Sequence, residues 1–208
     1  MTDVTMLLDD FDLVAARADG VADPGEVQAA AEAAKALRQR SGFIGDTLVV
    51  ALAGGTGSGK SSVLNAFAGA EIASVSPVRP HTDFPLAWIP SDAGPGLERM
   101  LDELSIYERA SHDAFPGLAI LDLPDIDSIV EWHRTVVEDL LPRIDAVIWL
   151  FDPEKYRDPM LHEEFLQRLS RHGDQFLFVL NKVDRIARDE LDAVVADLTT
   201  ALREDGYT

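Results

Sequence analysis

The sequence contains no cysteine, which excludes disulfide staples, thiolate chemistry and cysteine-based zinc sites and suits a reducing compartment. Basic residues are scarce: 18 Lys and Arg stand against 37 Asp and Glu, for a formal net charge of −19. Such a surface repels nucleic-acid backbones and anionic lipid at long range, so no direct nucleic-acid partner is expected. Long apolar runs are also missing. The strongest, AVIWLF at 146–151, is strand-sized and far short of a membrane span. The opening MTDVTMLLDDFD is acidic where a secretory signal is basic. These absences point to a cytoplasmic protein, at most peripheral to the inner face of the cell membrane through other segments. What is present is ample: 208 residues, 47% of them apolar, bury a core without a staple.

The first 45 residues read as helices. Val4, Leu7, Leu8, Phe11, Val14 and Ala15 share one helical face. A second helix starts at Asp23-Pro24-Gly25-Glu26, with Asp as N-cap and Pro in the first turn, and carries Val27, Ala30, Ala34 and Leu37. From residue 46 onward strands alternate with helices. Strands are expected at 47–53, 84–89, 118–123, 145–151 and 175–180. Helices are expected through Val63, Leu64 and Phe67, from a capping box at Ser128 to Glu131, from Asp158-Pro159, and over Leu191 to Leu202. Continuous apolar strands between amphipathic helices argue for a mainly parallel sheet covered on both faces. The stretch from Pro90 to Pro116, with a short helix around Leu97 to Leu104, receives no role.

Residues 54–61 read GGTGSGKS, between an apolar strand and an amphipathic helix. This is the phosphate-loop pattern. Its glycines let successive N–H groups turn inward onto phosphate oxygens, and the helix adds its N-terminal partial charge. Gly55, Thr56, Gly57, Ser58, Gly59, Lys60, Ser61 and Ser62 are the candidate nucleotide contacts, with Lys60 reaching the β- and γ-phosphates and Ser61 ligating Mg²⁺. The fold class is therefore an α/β P-loop NTPase three-layer sandwich, preceded by N-terminal helices.

The base is indicated by Asn181-Lys182-Val183-Asp184, directly after the fifth expected strand, at the carboxyl edge where a ligand can lie. Asp184 can accept from the N1–H and exocyclic amine of guanine, whereas adenine lacks N1–H and leaves the carboxylate unpaired. Asn181 can bond the guanine edge and tie its loop to the phosphate loop, while the Lys182 stem packs over the ring. GTP or GDP is the expected ligand.

From residue 46 to the end the motif order resembles the Era-like and dynamin-like branch of the translation-factor class of P-loop GTPases, of bacterial type. The resemblance implies a switch threonine on Mg²⁺, matched by Thr82 in RPHTDFP, where Arg79-Pro80-His81-Thr82 looks dynamin-like. It implies a second-switch aspartate that holds Mg²⁺ through water, matched by Asp122 in LDLP. Two departures stand out. Asp125 replaces the glycine of D-x-P-G, which places a carboxylate near phosphate charge and puts GTP sensing in doubt. Ile126 stands where Ras-like enzymes carry a water-orienting glutamine; Era-like and dynamin-like relatives also have an apolar residue there. Catalysis then falls to Lys60, Thr56 and Thr82, with Gly57 or a partner assisting. Arg79 is either an internal cation or part of a surface ion pair.

The resemblance also implies a further strand, a second base-contacting loop and a closing helix. The sequence ends at Gly206-Tyr207-Thr208, so a fragment of a longer protein is expected: a helical segment at 1–45 and a GTP-binding domain at 46–208 lacking its last strand and helix. In dynamin-like proteins flanking helices couple nucleotide state to membrane or self-assembly; packing of 1–45 on the domain is the alternative. The expected activity is Mg²⁺-dependent binding and slow hydrolysis of GTP, with a nucleotide-dependent homodimer or activating partner. The alternatives are a nucleotide-binding interaction module with little hydrolysis, and a P-loop ATPase or kinase with an accidental N-K-x-D.

Overall fold

The computed structural model describes residues 14, 23–32, 47–74, 84–125 and 139–208. Six strands form one sheet: β1 (Leu48–Ala53), β2 (Leu86–Pro90), β3 (Glu108–His112), β4 (Leu118–Asp122), β5 (Ala146–Phe151) and β6 (Phe176–Leu180). They lie in the order β3-β2-β4-β1-β5-β6. β1 pairs in parallel with β4 and β5, and β5 with β6, whereas β2 runs antiparallel to β4 with β3 parallel beside it. The sheet is thus mainly parallel, with two reversed strands at one edge.

Alternation along the central strands divides the core. Val49, Ala51, Ala53, Val147, Trp149 and Phe151 face the larger cluster, with Leu97, Met100, Phe165 and Leu169. Leu52, Trp88, Ile120 and Leu150 face the smaller one, which Leu64 covers from α1 (Lys60–Ala68). From Val49 to Ala53 both faces of β1 are dry, which explains the apolar run VVALA.

The segment without an assigned role folds into α2 (Pro95–Glu103) and β3. β3 reads ERASH and pairs only with β2. A polar edge strand needs no apolar run and blunts an otherwise exposed edge, so hydrophobic patterning does not reveal it. The other expected strands are present, with ends displaced by one or two residues.

After β5 the chain turns at Asp158 into α3, whose first part, Leu161–Leu166, winds as a π-helix before the α-helical turn Gln167–Leu169. The last helix, α4 (Leu191–Glu204), covers the stretch expected from Leu191 to Leu202. Its buried residues are Leu198 and Ala201, whereas Val195 is 45% exposed. Leu198 and Leu202 pack with Phe178 and Tyr207 at the rim of the larger cluster, so the helix has less sheet to cover than a central one.

Helix 24–32 is capped by the Asp23 carboxylate, which accepts from Gly25 N at 2.8 Å and Glu26 N at 3.3 Å. The first expected helix (Val14 apart), the far end of the second and the capping box at Ser128 lie outside the described residues. Among the described residues no helix is long and apolar enough to cross a membrane.

Candidate functional site

The loop between β1 and α1 owes its shape to its neighbours. Gly54 has φ 144°, and a Cβ there would sit 2.4 Å from the Leu150 carbonyl oxygen on β5. Gly59 has φ 100°, and a Cβ there would sit 2.4 Å from Asn181 Nδ2. Both positions combine a left-handed backbone with a close approach, which only glycine permits.

Lys60 is buried at the first position of α1. Its Nζ donates to Gly54 O at 2.9 Å and to Asp125 Oδ1 at 2.5 Å. The next residue, Ser61, donates its hydroxyl to Asp122 Oδ2 at 2.7 Å. Asp122 is wholly buried at the end of β4, and its Oδ1 has no hydrogen-bond partner among the described residues. Burial is the main force that pushes the Asp122 carboxyl up to about 6; the Asp125 charge adds to it, and the Ser61 bond and Lys60 charge oppose it. A hydroxyl beside a buried carboxylate with an open oxygen is a donor set that suits a hard divalent cation such as Mg²⁺.

β6 delivers the second half. Asn181 N donates to Phe151 O at 2.9 Å, and its Nδ2 donates to Ser58 O at 2.9 Å. Lys182 adopts φ 55°, and its Nζ donates to the Gly57 carbonyl and, at 2.8 Å, to Asp152 Oδ2. Asp184 is exposed on the one-turn 3-10 helix Val183–Arg185.

Burial acts to raise the Asp152 carboxyl, but the Lys182 hydrogen bond, the Glu154 N–H and nearby positive charge together hold it below the ordinary range. Lys155 donates to Thr56 O at 3.2 Å. Asp152 and Lys155 were not among the sequence candidates. Their signal was available: both follow β5 in FDPEK, at the same carboxyl edge that singled out Asp122 and Asn181.

The structure therefore brings Gly55 to Ser61, Asp122, Asn181 and Lys182 around one loop. Ser62 is exposed on α1, while Thr82, Arg79 and Ile126 lie outside the described residues.

Residues 49–182 match the family described as 50S ribosome-binding GTPase. The chain belongs to this family. The GTPase domain is 26% identical over 90 residues to an uncharacterized protein in the xynA 3' region of Caldicellulosiruptor sp. (strain Rt8B.4), a match covering 42% of this chain and 21% of the relative. Among solved structures it is similar to a chain of an oligomerised bacterial dynamin pair that senses and tethers membranes at long range. That likeness has TM-score 0.55 and 15% identity over 97% of this chain and 36% of the other. It is also similar to a structure of the chloroplast translocon components atToc33 and psToc159, with TM-score 0.53 and 17% identity over 83% and 69% of the two chains. Toc33 from Arabidopsis thaliana with GDP and Mg²⁺ gives TM-score 0.52 at 16% identity over the same shares. At these identities the structural likeness shows the fold. The chain spans about a fifth of the curated relative and about a third of the bacterial dynamin. Membership of the family supports GTP binding.

Proposed function

We propose that this domain binds GTP and GDP together with Mg²⁺ and slowly hydrolyses GTP to GDP and phosphate. The observation that carries the reading is the convergence of Lys60, the Ser61–Asp122 pair and Asn181 on one phosphate loop. In this reading the loop from Gly55 to Ser62 surrounds the phosphates, and Ser61, Thr82 and Asp122 hold the cation. When bound, Mg²⁺ supplies charge neutralisation at the phosphate oxygens. Lys60, Thr56 and Thr82 stabilise charge on the transferring group. Asp184 reads guanine, Asn181 locks the base loop to Ser58, and Lys182 spans from the base loop to Gly57.

Ile126 cannot orient water, so intrinsic turnover is slow and a second copy or partner accelerates it. Dimerization is important for the GTPase activity of atToc33 and psToc159, which supports this choice. The protein acts in the cytoplasm, with residues 1–45 as a helical segment and 46–208 as the nucleotide domain.

The test is a titration of fluorescent GDP and GTP with Mg²⁺, competed with ATP and repeated on Asp184→Asn. Guanine-selective binding that weakens by about tenfold or more in the variant, about 1.4 kcal/mol, is expected. Equal competition by ATP would sink the guanine assignment. The Lys60–Asp125 pair favours a second reading, a nucleotide-binding module with little hydrolysis. Single-turnover phosphate release, measured across protein concentration, separates the two.

A further inference from the structure

The Lys60–Asp125 ion pair joins two parts of the site that have different jobs. Its ends are 2.5 Å apart, with the two side chains only 3% and 11% exposed. Lys60 belongs to the phosphate loop. Asp125 stands in LDLPD, three residues after Asp122, at the place of the glycine in the D-x-P-G pattern. The positive-φ residues other than glycine, among those described, are Ser105 and Lys182, so Asp125 occupies the position in an ordinary backbone conformation. The aspartate is thus accommodated without strain and points its charge at the group that a nucleotide needs.

A lysine ammonium has three N–H donors and no more. At Lys60 one goes to the Gly54 carbonyl and one to Asp125. One donor is left, which suffices for a β-phosphate. A triphosphate asks the same lysine for both its β- and γ-phosphates, so it comes up one donor short. Asp125 also sets a negative charge where a γ-phosphate would bring more, in a nearly dry site where such repulsion is weakly screened.

We propose that Asp125 is a specificity-determining residue that occupies the place of the terminal phosphate on Lys60 and makes the site favour diphosphate over triphosphate. This rests on the guanine-nucleotide reading of the site and deepens it. Triphosphate binding must first pull the Asp125 carboxylate off Lys60. Diphosphate binding leaves the pair in place. The local charge balance supports this: Asp122 and Asp125 already face Lys60, the one buried lysine or arginine among the described residues, and a carboxylate withdrawn from it needs another counter-charge.

The experiment compares wild type, Asp125→Asn and Asp125→Gly in titrations with fluorescent GDP and a non-hydrolysable fluorescent GTP analogue, with Mg²⁺ throughout. Wild type is expected to bind the diphosphate about tenfold tighter than the analogue. Both variants should tighten the analogue about tenfold, which is about 1.4 kcal/mol, and leave the diphosphate nearly unchanged. Asp125→Asn keeps the side-chain shape, so it guards against a fold defect in the glycine variant, and thermal unfolding of each protein checks that. An unchanged GDP-to-analogue ratio in both variants overturns the inference while leaving the nucleotide assignment standing. Failure of wild type and both folded variants to bind any guanine nucleotide overturns the assignment itself, and this inference with it.

Discussion

A Cβ added at Gly59 would fall 2.4 Å from Asn181 Nδ2, whereas one added at Gly57, φ 78°, would meet nothing within 4 Å. The pair separates backbone strain from lost contact. Gly57→Ala should cost only the left-handed strain of a side chain, about 1–2 kcal/mol. Gly59→Ala should add to that strain the loss of the Asn181–Ser58 bond, because the amide has to move. Chemical denaturation of the nucleotide-free proteins is expected to show the larger loss at Gly59, and GDP titration a drop in affinity of about tenfold or more there. Equal behaviour of the two variants would mean that the Asn181 tie does not hold the base loop.

Elements are held together by a few polar latches that share no residue with the phosphate loop. His162, on the π-helical part of α3, faces Asp205 Oδ2 through Nδ1 at 2.5 Å and the Tyr156 carbonyl through Nε2 at 2.7 Å. Gln167 donates to the other Asp205 oxygen at 3.1 Å. Asp205→Ala leaves Nδ1 of the buried His162 unmatched and should lower stability by about 1–3 kcal/mol in urea unfolding. Nucleotide affinity should hold, since the latch shares no residue with the site; a parallel loss of affinity would refute that independence. A second latch, on the surface, carries a pH signature. The Arg157 hydrogen bond foremost, then that of Tyr156, holds the Asp197 carboxyl down to about 2 from an ordinary 3.8. A depressed folded-state value contributes stability that is present above the unfolded value and lost as pH falls through the folded one. Wild type should therefore lose stability between about pH 4 and 2 that Asp197→Asn never had, and the two acid-unfolding curves should converge at the low end. The effect is small because the pair is exposed and screened.

Across the whole molecule the charge is distributed with a purpose that the total conceals. The chain has four lysines, and three of them, Lys60, Lys155 and Lys182, donate to carbonyls of the phosphate loop at Gly54, Thr56 and Gly57. A protein of net charge −19 thus gathers its ammonium groups where an anion is expected to bind. Long-range repulsion and short-range attraction then oppose each other, with a Debye length of about 8 Å at physiological salt deciding which is felt. Stopped-flow association of GDP should speed up as ionic strength rises from about 10 to 150 mM, because screening removes the distant repulsion first. A rate that falls with salt would show that the lysine cluster governs the approach.

Much of this was legible without coordinates. The glycine spacing of 54–59, the apolar strands around it and the position of Asn181 after a strand each state a local rule, and local rules survive translation into sequence. β3 did not show, because ERASH earns its place by closing an edge and not by burying a face. The exposure of Val195 did not show either, since helical periodicity tells which residues could be buried but not how much sheet lies beneath them. By itself the sequence determined the α/β class, the phosphate loop and the order of its motifs. Only the tertiary structure decided that Asp152 clasps Lys182, that Lys155 reaches Thr56, and that Asp125 takes hold of Lys60. Those pairs join residues 30, 99 and 65 positions apart, and contacts between separate strand ends arise from how the sheet is ordered, which no local pattern encodes.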